Sequence, residues 1–252
     1  MAEFLLDVRD LHAGYGRAEV LHGLNLRARP GEVITVIGPN GAGKSTLLNA
    51  LMAALPARGT VAYDGKVVDL LSLEERVMLG MALVPETRAL FATMTVLENV
   101  ALGAHLRGRH GIPAAMLRLD RAEERRLMRE AERQLRRIGM AELMHEQAGN
   151  LALGQQRLME IARALAADPI LLLLDEPAAG LRLKEKEGLA GVLRQLRSEG
   201  LSILLVEHDM DLVMGLVDRV VVMEFGTKLI EGTPEEVQAS PAVRAAYLGT
   251  EH

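Results

Sequence analysis

Nine residues carry the plainest chemistry in the chain: Gly38-Pro39-Asn40-Gly41-Ala42-Gly43-Lys44-Ser45-Thr46. They fit the pattern G-x-x-x-x-G-K-[ST], and they stand between a β-branched run, Val33 to Ile37, and a helix-forming run, Leu47 to Leu51. Glycines at 38, 41 and 43 free the backbone to turn successive N–H groups toward a bound phosphate. A helix beginning near Lys44 adds its unpaired N-terminal N–H groups and the positive end of its dipole. Lys44 is then placed to reach the β- and γ-phosphates of a nucleotide, and the Ser45 hydroxyl to ligate Mg²⁺. A tight turn with a chance lysine explains the residues singly but not the full motif in this setting.

Two further stretches bring acid–base groups. The apolar run Leu171 to Leu174 ends in Asp175-Glu176-Pro177. A carboxylate at the end of a buried strand is exposed at a sheet edge, so Asp175 can hold the metal site while Glu176 orients and deprotonates an attacking water. An acidic helix start accounts for one carboxylate here, but poorly for two in succession. The run Ser202 to Val206 delivers Glu207-His208-Asp209 in the same way. A lone histidine is commonly a surface or capping residue, yet this position favours a hydrogen bond from His208 to the γ-phosphate. Tyr15, between Gly14 and Gly16, has two readings, a turn residue or a flat surface for a base.

These groups need strands that end together. Residues 4–10 and 19–27 alternate apolar and polar and predict antiparallel strands; Gly59 to Val68 predicts a hairpin turning at Asp64-Gly65. A helix near Leu73–Leu79 and a strand over Met81–Val84 follow. From about Thr87 to Asn150 the spacing turns helical, with Met128, Ala131, Leu135 and Ile138 on one face, and the Arg- and Glu-rich stretch Arg118–Arg137 reads as a solvated face. Strand and helix then alternate through Ile170–Leu174, Lys184–Ser198 and Ser202–Val206 to a last hairpin, Arg219–Glu224 with Thr227–Glu231, and short helices near Pro234 and Pro241. The expected class is α/β, a mostly parallel sheet covered on both faces.

Composition narrows the rest. The chain has 252 residues, 49% hydrophobic and 25% charged, as in a water-soluble globular fold. Its N-terminus lacks the basic start and apolar run of an export signal, so a cytoplasmic location is expected. There is no cysteine, and hence no disulfide or thiolate metal site. A net charge of −5 and 2% aromatic residues argue against nucleic acid as a partner.

Taken together, Gly38–Thr46, Leu171–Glu176, Leu151–Gln156 and His208 resemble the Walker A, Walker B, signature and switch-histidine motifs of ATP-binding cassette (ABC) transporter ATPases. The segments Glu176-Pro177-Ala178-Ala179-Gly180-Leu181, Glu207-His208-Asp209-Met210 and Ala246-Tyr247-Leu248-Gly249 look most like the subunits of branched-chain amino acid importers. The resemblance covers essentially the whole chain. It implies a P-loop NTPase of ABC type, one domain over 1–252. Residues 1–86 and 155–252 would form the core with an N-terminal antiparallel β subdomain, and 87–154 an inserted helical subdomain. It further implies that Tyr15 stacks on adenine, that Thr46 assists Ser45, and that Ala152, Leu153, Gly154 and Gln155 reach the ATP of a second ATPase subunit, identical or a sister. The stretch from Glu86 to about Ala104 would form a groove for a helix of a transmembrane permease, with a solute-binding protein as an indirect partner. The cofactors would be ATP and Mg²⁺, and the site the cytoplasmic face of the cell membrane.

Three motifs depart from the family pattern. Glu86 replaces a glutamine, and as a carboxylate it can ligate Mg²⁺. In the signature, Ala152 lacks a serine hydroxyl and Leu153 brings a side chain where the family has glycine. Arg182 stands at an aspartate position. Urea, amide and other small-solute importers use similar ATPases, and a soluble ATPase that remodels nucleic acid or ribosomes shares the same engine. A GTPase or small-molecule kinase shares only Lys44 and its loop, and no Asn-Lys-x-Asp guanine-reading motif is present.

Overall fold

Alternation along the central strands gives one sheet two apolar faces. In the computed structural model, which describes residues 3–104 and 121–243, elements follow one another in the order set out next. They are β1 (Leu6–Tyr15), β2 (Ala18–Ala28), β3 (Val33–Ile37), α1 (Lys44–Leu51), β4 (Ala57–Tyr63), β5 (Lys66–Val67), α2 (Leu73–Met78), β6 (Met81–Val84) and α3 (Val96–Gly103). Then come α4 (Arg121–Arg137), α5 (Leu153–Leu165), β7 (Leu171–Asp175), α6 (Leu183–Ser198), β8 (Ser202–Val206), α7 (Met210–Met214), β9 (Arg219–Glu224), β10 (Thr227–Gly232) and α8 (Pro234–Ala239).

Strands β9, β3, β8, β7 and β6 lie parallel in that order, and β10 closes one edge antiparallel to β9. Val33, Ile37, Leu172, Leu174, Ile203 and Leu205 face a core filled by α3, α4, α5 and α6. Ile34, Val36, Leu171, Leu173, Leu204 and Val206 face a second core, closed by α1 and by an antiparallel sheet of order β2-β1-β4-β5. Each buried Leu, Ile or Val contributes about 1.5–3 kcal/mol, so strand register and sheet edges are set by both faces at once. The expected α/β class with an N-terminal antiparallel sheet is the observed one.

Local boundaries differ where the backbone breaks its own period. The second strand matches the expected 19–27 to within one residue at each end, but the first runs on to Tyr15, past the expected 10, because Asp10 sits at φ 51° and the pairing register shifts between Val8 and Leu11. Such a bulge flips the in–out phase, and a count of alternation stops there. The helical stretch expected from Thr87 begins only at Val96, where Thr95 and Glu98 form a capping box. After α4 the chain continues as short 3₁₀ turns at Ala141–Leu143 and Ala148–Asn150. The expected boundary at 154/155 falls inside the first turn of α5. The expected Glu132–Arg136 pair is present at 2.6 Å. Arg118 and the segment Ala246–Gly249 lie outside the described residues. No helix among the described residues is long and apolar enough to cross a membrane.

Candidate functional site

Parallel strands β3, β7 and β8 end at one edge, and the loops leaving them carry the expected groups. After β3 the backbone passes so close to its neighbour that a Cβ at Gly38 would lie 2.2 Å from the Met223 carbonyl oxygen of β9, at a φ of 154°. Only glycine fits. Helix α1 then starts at Lys44 with Gly43 as its N-cap; no side chain caps it, and no acidic residue occupies its first turn. Its N-terminal N–H groups are left for an anion, to which the dipole adds. Pro39, Asn40, Gly41 and Ala42 form the turn between them, and Thr46 is buried on α1.

Lys44 is buried, its ammonium donating to the carbonyls of Gly38 at 2.9 Å and Pro39 at 3.2 Å. Burial pulls its pKa below the ordinary value, opposed by the carboxylates of Glu176, Asp175 and Glu86. A desolvated cation resting on two carbonyls of its own loop is a group that phosphate oxygens can claim. Ser45 donates its hydroxyl to Asp175 Oδ1 at 3.1 Å. Burial raises the Asp175 carboxyl, while the Ser45 hydrogen bond opposes this. Two of the three oxygen ligands expected for Mg²⁺, Ser45 and Asp175, are thus brought together across the sheet edge, with Glu86 acting on Asp175 only through its charge. Among the described residues no trio of His, Asp or Glu is arranged for a metal ion.

Glu176 follows at φ 44°, with its N–H donating to the Val206 carbonyl at 3.0 Å, which fixes it between β7 and β8. Its Oε2 lies 3.7 Å from Nδ1 of His208, whose side chain is exposed. The base and the histidine are therefore neighbours. Glu86 leaves β6 at the same edge; its carboxylate is exposed and reaches Lys44 and Asp175 through its charge, with no direct bond to Ser45. Tyr15, half exposed, ends β1 beside strand β2, whose Val20 and Leu21 pack on the position a Gly43 Cβ would take.

The signature residues meet α6 instead of the phosphate loop. Ala152 is the N-cap of α5 without a side-chain bond, and Gln155 closes the turn by accepting the Ala152 N–H at 3.0 Å. Gly154 donates its N–H to Glu185. Leu153 carries a side chain where the family pattern has glycine. It is half-buried against the first core, 3.4 Å from where a Gly180 Cβ would sit, so its side chain packs within its own subunit. Arg182 is the N-cap of α6.

Sequence reasoning missed three groups that hold the site. Glu207, fully buried, accepts N–H bonds from Ala178 at 2.8 Å, His208 at 3.1 Å and Asp209 at 3.4 Å, tying the loop after Glu176 to the loop of the histidine. Arg157 and Glu160 form a buried ion pair of 3.0 Å on α5. Arg157 also donates to the carbonyls of Pro85 and Glu86, both at 2.9 Å, and Glu160 accepts the Ala89 N–H at 3.0 Å. Charged residues three apart beside the apolar Met159, Ile161 and Ala162 were the available signal.

The family profile described as ABC transporter matches residues 21–179, and one described as Branched-chain amino acid ATP-binding cassette transporter matches 228–252. The chain is 39% identical to the high-affinity branched-chain amino acid transport ATP-binding protein LivG of Escherichia coli (strain K12) over 99% of both chains. It is 37% identical to BraF of Pseudomonas aeruginosa, again over 99% of each. A nucleotide-free ATP-binding cassette from an ABC transporter superposes with a TM-score of 0.87 at 28% identity, covering 97% of this chain and 98% of that one. The ADP conformation of the cassette MJ1267 gives 0.87 at 28% identity, over 98% and 100%.

Proposed function

The chain belongs to the ABC transporter ATPase family, and from that premise we propose that it is the ATP-hydrolysing subunit of an importer of branched-chain amino acids. One observation carries the chemistry: Lys44, the Ser45–Asp175 pair and the Glu176–His208 pair converge at one sheet edge. The full-length similarity to LivG supports the amino-acid substrate.

In this reading the N–H groups of the 38–46 loop hold the triphosphate, Tyr15 stacks on adenine, and Lys44 exchanges its carbonyl partners for β- and γ-oxygens. Ser45, Asp175 and Glu86 supply oxygen ligands to Mg²⁺, which when bound neutralises charge on the phosphates. Glu176 accepts the proton of the attacking water, and His208 donates to the γ-phosphate. Ala152, Gly154 and Gln155, with the backbone of Leu153, serve the ATP of a second ATPase subunit. The subunit sits on the cytoplasmic face of the membrane beneath its permease.

The test is Glu176→Gln. It should retain ATP binding, lose hydrolysis and form a dimer with ATP and Mg²⁺, read by light scattering. Turnover at the parental rate would remove Glu176 from its role. The substrate is tested by purifying the complex from membranes and measuring whether leucine, with the co-purifying binding protein, accelerates hydrolysis.

A further inference from the structure

The first turn of α6 reaches back to the start of α5. Glu185 Oε1 accepts the Gly154 N–H at 3.1 Å, and its Oε2 accepts the Arg182 N–H at 2.9 Å, closing the cap of its own helix. These two bonds, Arg182's first, hold the carboxyl below its ordinary range, so it is an anion at neutral pH. The contact is close. A Cβ on Gly154 would lie 2.9 Å from the Glu185 Cβ and 3.0 Å from its Cγ and Oε1. The N–H that the composite-site reading offers to a partner's γ-phosphate is therefore already bonded, within this subunit, to a carboxylate oxygen.

We propose that Glu185 is a positioning residue that holds the Gly154 N–H as an internal stand-in for phosphate and must release it when the second subunit's ATP arrives. The proposal rests on the two-subunit reading above. A carboxylate and a phosphate oxygen seek the same donor with the same charge, so they compete. While ATP is absent the carboxylate keeps the α5 N-terminus satisfied and shaped around an oxygen anion. When ATP is sandwiched, the freed carboxylate keeps its bond to Arg182, so release does not uncap α6. The neighbouring Lys186 pairs with Asp209, the N-cap of α7, so the same helical turn touches both the signature start and the loop of His208.

Glu185→Gln separates the two roles. Its amide oxygen can still accept from Arg182 in a capping box, but it brings no charge to Gly154. The measurement is ATP- and Mg²⁺-dependent dimerisation of Glu176→Gln and of Glu176→Gln/Glu185→Gln, by light scattering over a range of protein concentrations. The double variant should dimerise with an affinity at least about tenfold higher, the factor carried by one charge-assisted hydrogen bond. Equal or weaker dimerisation overturns the proposal, since a purely structural Glu185 would lower affinity when altered. A dimer from Glu176→Gln alone upholds the sandwich reading whatever Glu185 does. No dimer from either protein overturns that reading and the inference with it. Amide exchange gives a second readout in the ATP-free protein: the Gly154 N–H should be protected in the parent and exchange faster in Glu185→Gln, and equal rates overturn the proposal.

Discussion

Ala152 stands where a helix start wants a hydroxyl. As N-cap of α5 it leaves an N–H of the first turn without the side-chain oxygen that serine supplies, a difference of about 1 kcal/mol. Ala152→Ser should therefore raise the thermal midpoint by about 2–4 °C in a chain of this size. The same hydroxyl would face a partner's phosphate, so hydrolysis should rise about tenfold, the effect of about 1.4 kcal/mol. Leu153→Gly should bring no such gain, because Leu153 packs in its own core. Lys44→Ala should abolish nucleotide binding, measured by calorimetry. Glu207 gives a pH dependence. Burial pushes its carboxyl above the ordinary 4.5 despite three backbone donors. A raised folded pKa gives stability that is complete below the unfolded value and lost as pH rises through the folded one. Midpoints recorded upward from about pH 4.5 should thus fall less steeply in Glu207→Gln than in the parent, Asp175 retaining part of the slope. Lys44, Ser45, Asp175 and Glu176 were legible because their chemistry is written in adjacent residues. Glu207 and Glu185 were not, because their meaning lies in backbone N–H groups far away in sequence.

Helix α5 clasps the loop that bears Glu86. Arg157 takes two of its carbonyls, Glu160 one N–H, and Arg163 bonds the Ala89 carbonyl. On its other side α5 meets α3 so closely that a Cβ on Gly103 would overlap the Arg163 carbonyl oxygen. Replacing one member of the buried pair, Arg157→Met or Glu160→Leu, should cost about 3–5 kcal/mol in denaturant unfolding, because the other charge is left alone in the core. The double replacement should recover most of that cost yet leave Pro85 and Glu86 without their Arg157 bonds, so hydrolysis should stay slow in a protein that folds. The sequence placed a helical stretch over about Thr87 to Asn150 and gave α5 no range of its own. It did not mark where helix gives way within that stretch, since 3₁₀ turns and loop residues 85–95 are fixed by these distant bonds and by no local period.

At the scale of the molecule, two cores share one sheet, and the groove beside them is open. Val77, Leu83, Pro85, Phe91, Leu102 and Gly103 line it, with Phe91 and Leu102 about half exposed. As the permease-facing surface of the proposal, it should lose its partner when Phe91→Glu and Leu102→Glu are combined, seen as loss of co-purification from membranes while ATP binding persists. Strand–helix alternation made the parallel sheet legible, and its sides follow from continuous apolar runs such as Leu171–Leu174. The buried Arg157–Glu160 pair has a consequence for descent. Either residue changed alone strands a charge in the interior, whereas both changed together do not, so the two positions form a valley that single substitutions do not cross. Lineages that part from this chain should inherit the pair as a unit or exchange it as one.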